Sequence, residues 1–229
     1  PYGIAPFEEI KPEHYIPAYH EAMNIQNEII EKIVNNTEDP TFENTIVELE
    51  FSGQKLSDIS LVFFNMLSSH TSEELQKLAQ EISPMLSKHG DEILMNARLF
   101  EKIKAVHENA ESFQLDKEDQ MLLDLTYKRF VRGGAELNEE DKSRLKEINE
   151  RLSVLSLTFG DNLLAETNNY KLIVENEEDL SGLPQNLIET AAQVAKQNDM
   201  EGKWIFTLHN PSVMPFLAYS DNRELRKEI

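Results

Sequence analysis

Helical periodicity dominates most of the chain. Apolar residues recur three or four positions apart, which places them on one face of a helix. The clearest run alternates spacings of four and three, as a coiled-coil seam does, and consists of Phe42, Ile46, Leu49, Gly53, Leu56, Ser60, Phe63 and Leu67. The small residues Gly53 and Ser60 on this seam would let a neighbouring backbone approach closely.

The run from Phe42 to Leu67 forms the second predicted helix, and two further helices flank it. The first begins near Pro12 and ends at the turn of residues 39–40. Its apolar stripe consists of Tyr15, Tyr19, Ala22, Met23, Ile29, Ile30 and Ile33. A third helix should begin at a capping box formed by Thr71 and Glu74, bend at Pro84 and end at Gly90.

Three more helices are predicted before residue 170. A fourth helix carries its apolar stripe from Ile93 to Ile103. Asp116 caps a fifth helix, which stops at residues 133–134, where two glycines follow each other. Asn138, with Asp141 in the first turn, opens a sixth helix. The apolar stripe of this sixth helix consists of Leu145, Ile148, Leu152, Leu155 and Phe159.

The pattern changes near residue 170. Residues 170–174 and 203–208 are rich in aromatic and β-branched side chains and predict two short strands. A helix that starts at Pro184 lies between them, and Asn210 with Pro211 opens another short helix. The fold class is therefore mainly α, a multi-helix bundle with a small two-stranded β element in the C-terminal third. We predict a helical domain over 1–168 and an α/β annex over 169–229.

Charge and apolar content narrow the function classes. The chain has 42 acidic and 22 basic residues, a net charge of −20 and no cysteine. This field repels nucleic acid and anionic membranes, and no apolar run approaches the ~20 residues that span a bilayer. We therefore expect no nucleic-acid or membrane partner and a cytoplasmic location, with the periplasm as the alternative in a bacterium.

The two ends of the sequence predict a fragment. The first residue is Pro1 rather than Met, which indicates a trimmed start. The last nine residues, 221–229, open a helix that Asp221 can cap, and no glycine or proline ends it. We expect the polypeptide to continue beyond Ile229.

No metal motif is complete. Zinc peptidases place two histidines four residues apart on a helix, with a glutamate between them. His20 and His107 are each followed by glutamate, but Asn24 and Glu111 stand where the second histidine is needed. No histidine has a glutamate three positions before it, as a di-metal bundle requires. The six histidines are expected to be surface or packing residues.

Other catalytic signatures are missing too. With only eight glycines, the sequence contains no phosphate loop, no dinucleotide fingerprint and no Gly-x-Ser-x-Gly elbow. We therefore predict no catalytic, cofactor-binding or metal-ligating residue in this chain.

Five segments nevertheless resemble one family, in the same order and over essentially the whole chain. They are residues 41–46 (TFENTI), 63–71 (FFNMLSSHT), 129–137 (RFVRGGAEL), 180–184 (LSGLP), and the tail with 210–212 (NPS) and 221–226 (DNRELR). These segments are similar to the zinc metallopeptidases of the thimet oligopeptidase and peptidyl-dipeptidase family, above all to bacterial peptidyl-dipeptidases.

The resemblance implies a nearly all-helical fold of two lobes beside a deep channel. Family members use zinc to hydrolyse short unstructured peptides, and peptidyl-dipeptidases release dipeptides from the C-terminus. Their His-Glu-x-x-His motif lies downstream of the matched region. The resemblance therefore assigns this chain to the N-terminal lobe, which forms part of the channel wall, is inactive alone and acts with the catalytic domain on peptides.

Two other functions stay open. The chain could be a free-standing helical interaction module, which would expose a large apolar patch to a partner. It could also be an independent enzyme that uses scattered carboxylates, although no paired acid–base arrangement is readable in the sequence.

Overall fold

The computed structural model describes residues 4–229, so the predicted trimming at Pro1 lies outside the described residues. The chain divides into two compact units, Pro1–Leu157 and Thr158–Ile229, here called unit 1 and unit 2. The division falls inside one long helix. The predicted domain boundary between residues 168 and 169 stays a prediction.

Helices make up most of the described residues, as the periodicity predicts, and the remainder includes one two-stranded sheet. The α-helices of unit 1 are α1 (Tyr15–Asn35), α2 (Glu48–Ser52), α3 (Gln54–Ser69), α4 (Glu73–Leu94), α5 (Ala97–Glu108), α6 (Lys117–Arg132) and the first part of α7 (Glu139–Asn169). Unit 2 continues α7 and adds β1 (Leu172–Val174), α8 (Gln185–Gln197), β2 (Trp204–Phe206), α9 (Asn210–Tyr219) and α10 (Arg223–Glu228). None of the helices in the described part of the chain has the length and apolar character that crossing a bilayer demands.

Helix α1 contributes to two apolar clusters of unit 1. Its first half packs Tyr15 and Tyr19 edge-on against Phe63 of α3, with ring centroids 4.9 and 6.1 Å apart. Its second half joins a cluster with the first turns after residue 41 and with α5 and α6. The buried members of this second cluster are Ile30, Ile33, Val34, Phe42, Ile46, Leu99, Phe100, Ile103, Val106, Leu123, Phe130 and Ala135.

The predicted second helix is interrupted. A π-helix, Phe42–Val47, runs into the short α2, and Gly53 separates α2 from α3. The seam is nevertheless inward-facing, since none of its residues is exposed. A Cβ on Gly53 would lie 2.9 Å from Nε2 of Gln26. The close approach predicted at Gly53 is therefore made by a side chain of α1 rather than by a backbone.

The prediction for the third helix is wrong at both ends. Ser72, not Thr71, caps α4 by accepting the backbone N–H of Leu75 at 3.2 Å. The helix continues through Pro84 and Gly90 to Leu94. A mid-helix glycine costs only about 1 kcal/mol relative to alanine, and the residue after Gly90 is buried. The next helix accordingly begins at Ala97, after the Asn96 cap, and Ile93 belongs to α4.

The predicted ends of α6 and the start of α7 are confirmed. Asp116 accepts the backbone N–H groups of Glu118 and Asp119 at 2.8 and 2.9 Å. At the other end, Gly134 has a φ of +97°, and Ala135 N–H donates to the carbonyl of Phe130. This is a Schellman ending, which favours glycine because of the left-handed φ. Asn138 accepts the N–H of Asp141 at 2.9 Å.

The apolar stripe predicted on α7 is not buried. Ile148, Leu152, Leu155 and Phe159 are 40%, 53%, 50% and 70% exposed. Lys142 is the buried residue of this helix.

Unit 2 forms around the predicted pair of strands. β1 and β2 are antiparallel, with Leu172 opposite Phe206 and Val174 opposite Trp204. These side chains pack with α8 and with Phe216 of α9. Two predicted caps are displaced by one residue. His209 rather than Asn210 occupies the N-cap of α9, and Asn222 rather than Asp221 caps α10, accepting from Glu224 and Leu225.

Among the glycines of unit 2, Gly182 is the one with no room for a side chain. Its φ is +85°, and a Cβ there would lie 2.2 Å from the backbone oxygen of Tyr219 at the end of α9. Gly202 has a similar φ of +88°, but a Cβ there would meet nothing within 4 Å. The two glycines therefore separate backbone strain from steric exclusion.

We predict that Gly182→Ala destabilises the protein much more than Gly202→Ala. The left-handed φ alone costs an alanine about 1–2 kcal/mol, and the contact with the Tyr219 oxygen adds about 1–3 kcal/mol of overpacking. Chemical denaturation of both variants measures the difference. Equal destabilisation would show that α9 does not lie against residue 182.

Candidate functional site

The histidines do not assemble into a metal centre. Within residues 4–229, no group of three or more His, Cys, Asp or Glu side chains could hold a metal ion. His14, His20, His70 and His209 are exposed. His107 stacks on Tyr127 with ring centroids 4.1 Å apart and contacts Asp124 at 3.2 Å. The described residues therefore do not fit the zinc that the family resemblance implies.

A polar arrangement of unit 1 surrounds His89, which is 6% exposed. It lies at a 650 Å³ cleft bordered by residues of α1, α2, α3, α4 and α6. Charged side chains also line this cleft, namely Glu50, Asp58 and Arg129.

A chain of hydrogen bonds fixes the tautomer of His89. Ser52 Oγ donates to the carbonyl of Leu49 at 2.6 Å and so accepts from Gln26 Nε2, at 3.2 Å. The other amide atom of Gln26, Oε1, faces His89 Nε2 at 2.8 Å. Because this oxygen can only accept, Nε2 must carry the proton. Gln26 thus lies between the Ser52 hydroxyl and the imidazole, so Ser52 and His89 do not form a nucleophile–base pair.

Asp91 forms a second buried polar pair, on the same helix as His89. Its Oδ1 accepts a hydrogen bond from Asn149 Nδ2 of α7 at 2.7 Å. One turn beyond Asp91, the carbonyl of Met95 accepts a hydrogen bond from Lys142 Nζ of α7 at 3.3 Å. Helix α7 is therefore attached to the end of α4 through polar side chains.

Burial shifts these two titratable groups in opposite directions. It lowers the pKa of His89 against a smaller raising effect of Glu92. It raises the pKa of Asp91, which the Asn149 hydrogen bond and Lys146 partly oppose. Both shifts disfavour the charged form, as desolvation does. The hydrogen-bond partner of His89 is the amide of Gln26, so the arrangement joins α1 to α4.

Unit 2 carries a groove of 510 Å³ between α8, β2 and α9. Its floor is apolar, with Leu187, Ala191 and Ile205, and its rim adds hydroxyl groups and His209. No Asp, Glu, Lys or Arg lines it. The groove can accept an apolar side chain and uncharged hydrogen-bonding groups, but it offers no carboxylate or lysine for catalysis.

Two of the resembling segments of unit 2 bind each other. Ser181 Oγ donates to Asp221 Oδ2 at 2.8 Å, and Asp221 N–H donates to the carbonyl of Ser181 at 2.9 Å. Asn222 Nδ2 donates to Asp179 Oδ1 at 2.9 Å. The segments at 180–184 and 221–226 are thus the two sides of one contact. A single sequence gave no signal for this pairing, because its partners lie about 40 positions apart.

The segment at residues 41–46 also has a structural role. Thr41 Oγ1 accepts the N–H of Asn44 at 3.1 Å, and Asn44 Oδ1 accepts the N–H of Thr41 at 2.8 Å. Asn44 further donates to the carbonyl of Asp39 at 3.0 Å. This reciprocal cap begins the π-helix.

We predict that His89 makes the stability of the protein dependent on pH. A histidine with a lowered pKa in the folded state contributes stability that is fully present above its unfolded pKa of about 6.5, and this contribution is lost as the pH falls from that value through the lower folded pKa. Asp91 acts in the opposite direction, since its raised pKa favours folding as the pH falls toward the acidic range.

Denaturation of the protein and of His89→Gln is compared at several pH values from about 8 to about 5, which reach below the unfolded histidine pKa of about 6.5. The comparison isolates the histidine, because the carboxylates are the same in both proteins. The variant keeps an amide that can donate to Gln26 but cannot titrate in this range. We expect the unfolding free energy of the parent to fall more steeply with decreasing pH than that of the variant. Parallel curves would contradict the assigned burial of His89.

Comparison with known proteins gives matches to bacterial peptidases that extend over the whole of this chain. The chain is 37% identical over 229 residues to dipeptidyl carboxypeptidase of Salmonella typhimurium, which covers 100% of the chain but 34% of that protein. The Escherichia coli dipeptidyl carboxypeptidase is 35% identical over the same span, also 34% of its length. Oligopeptidase A of Haemophilus influenzae is 30% identical over 227 residues, 33% of its length. No model of a protein family matches the chain.

The chain therefore spans about a third of the length of the curated relatives it matches. The matches include every segment on which the resemblance depends. From end to end, these 229 residues are thus similar to about one third of the length of each of these dipeptidyl carboxypeptidases and oligopeptidases A. This similarity confirms the resemblance to the thimet oligopeptidase family of metallopeptidases.

Proposed function

We propose that these residues are the non-catalytic N-terminal lobe of a zinc-dependent peptidase that hydrolyses short peptides and releases dipeptides from their C-termini. One observation carries the proposal: the whole chain aligns with only 34% of a dipeptidyl carboxypeptidase. The proposed site of action is the cytoplasm, or the periplasm of a bacterium.

The catalytic metal of such an enzyme would be held outside this chain. In this proposal zinc would polarise the scissile carbonyl when bound. The described residues offer no ligand set for it. The polar groups around His89 and around Asp221 instead make hydrogen bonds within the fold.

We assign to these helices the task of forming part of the channel wall. A wall of packed helices excludes water from the reacting bond and admits only chains that are thin and extended. The apolar groove of unit 2, without charged side chains, can receive side chains of a peptide. The partners of this lobe are accordingly short peptides and the catalytic domain.

A second candidate function is a helical interaction module without enzymatic activity. Large exposed apolar side chains favour it, for example Phe51 at 65% and Leu61 at 69%. The two candidates differ in what the natural polypeptide contains. A peptidase lobe requires a zinc motif further along the same polypeptide, whereas an interaction module does not.

We predict that the longest natural polypeptide containing this chain hydrolyses short peptides and that the 229-residue chain alone does not. Mass spectrometry of the products should show the loss of C-terminal dipeptides. Removal of metal by a chelator should abolish the activity, and zinc should restore it. The isolated chain with added zinc is the matched control, and robust turnover by it would refute the proposal.

Channel formation has a separate expected result. Short unstructured peptides should be cleaved, whereas the same cleavable sequence inside a folded protein should resist. Deleting this lobe should relax that length limit in whatever activity survives. An unchanged limit without the lobe would contradict the role in the channel wall.

A further inference from the structure

Helix α7 packs on unit 1 with its polar side. The contacts already described join Lys142 to the carbonyl of Met95 and Asn149 to Asp91. Leu157 adds an apolar contact to the cluster around Phe63. At 3.6 residues per turn, these three side chains lie within one third of the helix circumference.

The apolar side of α7 faces away from these contacts. Its members are Ile148, Leu152, Leu155, Phe159 and Leu163, with exposed fractions of 40%, 53%, 50%, 70% and 58%. We call this set the α7 stripe. Its spacings of four, three, four and four confine it to about 80° of the circumference, roughly 90° from Lys142 and Asn149. The helix is continuous through all five positions.

Such a stripe is a helix-packing surface. Apolar residues exposed one at a time are ordinary, but a contiguous and regularly spaced row marks an interaction site. Spacings of three and four residues are those by which one helix packs against another. The sequence pattern predicts a packed helix, whereas the five side chains are 40–70% exposed among the described residues.

The length of the relatives indicates what covers the stripe. About two thirds of each dipeptidyl carboxypeptidase lies outside the matched region, since the match covers 34% of its length. A second copy is the weaker occupant. The stripe is only about 22 Å long on a single helix, and a stable interface needs about 800 Å² from each partner.

We propose that the α7 stripe is the docking surface for an apolar helical face of the remaining two thirds of the polypeptide. This inference rests on the proposed function, because it requires a longer polypeptide. It assigns to α7 the attachment of this lobe to the catalytic part, by helix-on-helix packing along the row from Ile148 to Leu163.

Cysteine labelling tests the inference. This chain contains no cysteine, and any cysteine in the rest of the polypeptide is first replaced by serine. Leu155→Cys is placed on the stripe and Ala165→Cys serves as the matched control on another side of the same helix, both in the longest natural polypeptide. Each site's maleimide labelling rate in the native state is divided by its rate in denaturant. We expect Leu155→Cys to react at least about tenfold more slowly than Ala165→Cys.

Hydroxyl-radical footprinting of the unsubstituted polypeptide gives a second readout. Phe159 should be oxidised as slowly as Phe63, which is 0% exposed. Equal labelling of the two cysteines, oxidation of Phe159 several-fold faster than Phe63, or a natural polypeptide no longer than this chain would each overturn the inference. Labelling that slows with rising protein concentration would indicate a second copy and overturn it as well.

The peptide-hydrolysis assay on the same polypeptide keeps the two proposals separate. Hydrolysis with an unprotected stripe would refute only the docking surface. A protected stripe without hydrolysis would refute only the proposed peptidase function.

Discussion

The burial of helix α1 is the constraint on which unit 1 depends. One end of α1 supplies Tyr15 and Tyr19 to the cluster around Phe63, and the other end supplies Ile30 and Ile33 to the cluster around Ile46. Gln26 lies between these two apolar regions. Its amide bonds to both Ser52 and His89, so neither of these two partners is left without a hydrogen bond. Burying such groups unpaired would cost about 1–3 kcal/mol each.

The segments shared with the peptidases shape the backbone. Residues 41–46 form a reciprocal cap, residues 129–137 end α6 in a Schellman turn, and residues 180–184 bind the segment that follows α9. Each of these roles needs a particular side chain or a left-handed φ at one position. These segments therefore serve the scaffold, because their side chains are used for caps, turns and contacts within the fold.

The sequence was sufficient for elements whose ends are chemically marked. Asp116, Asn138 and the paired glycines 133–134 were correctly interpreted because caps act locally. The helix end predicted at Gly90 is wrong, because a glycine permits a helix to end but does not require it. Helix α4 continues past Gly90 and buries Asp91 beyond it. The cap of α4 was misplaced by one residue because Thr71 and Ser72 are both capable acceptors.

Other features could not be found in a single sequence. The bonds between Asp91 and Asn149 and between Ser181 and Asp221 join residues 58 and 40 positions apart, and no local pattern encodes such pairs. The stripe on α7 was predicted correctly as a pattern, but periodicity does not reveal which partner covers a face. Its exposure here shows the difference between what a helix is suited to bury and what the described residues bury.

The proposed function places the bond-breaking chemistry outside these 229 residues. Zinc can be titrated into the purified, metal-free chain and followed by calorimetry and by metal analysis after gel filtration. We expect no stoichiometric zinc to remain with the chain after filtration. One tightly held zinc ion per chain, lost on substitution of histidine or carboxylate residues of this chain, would contradict it.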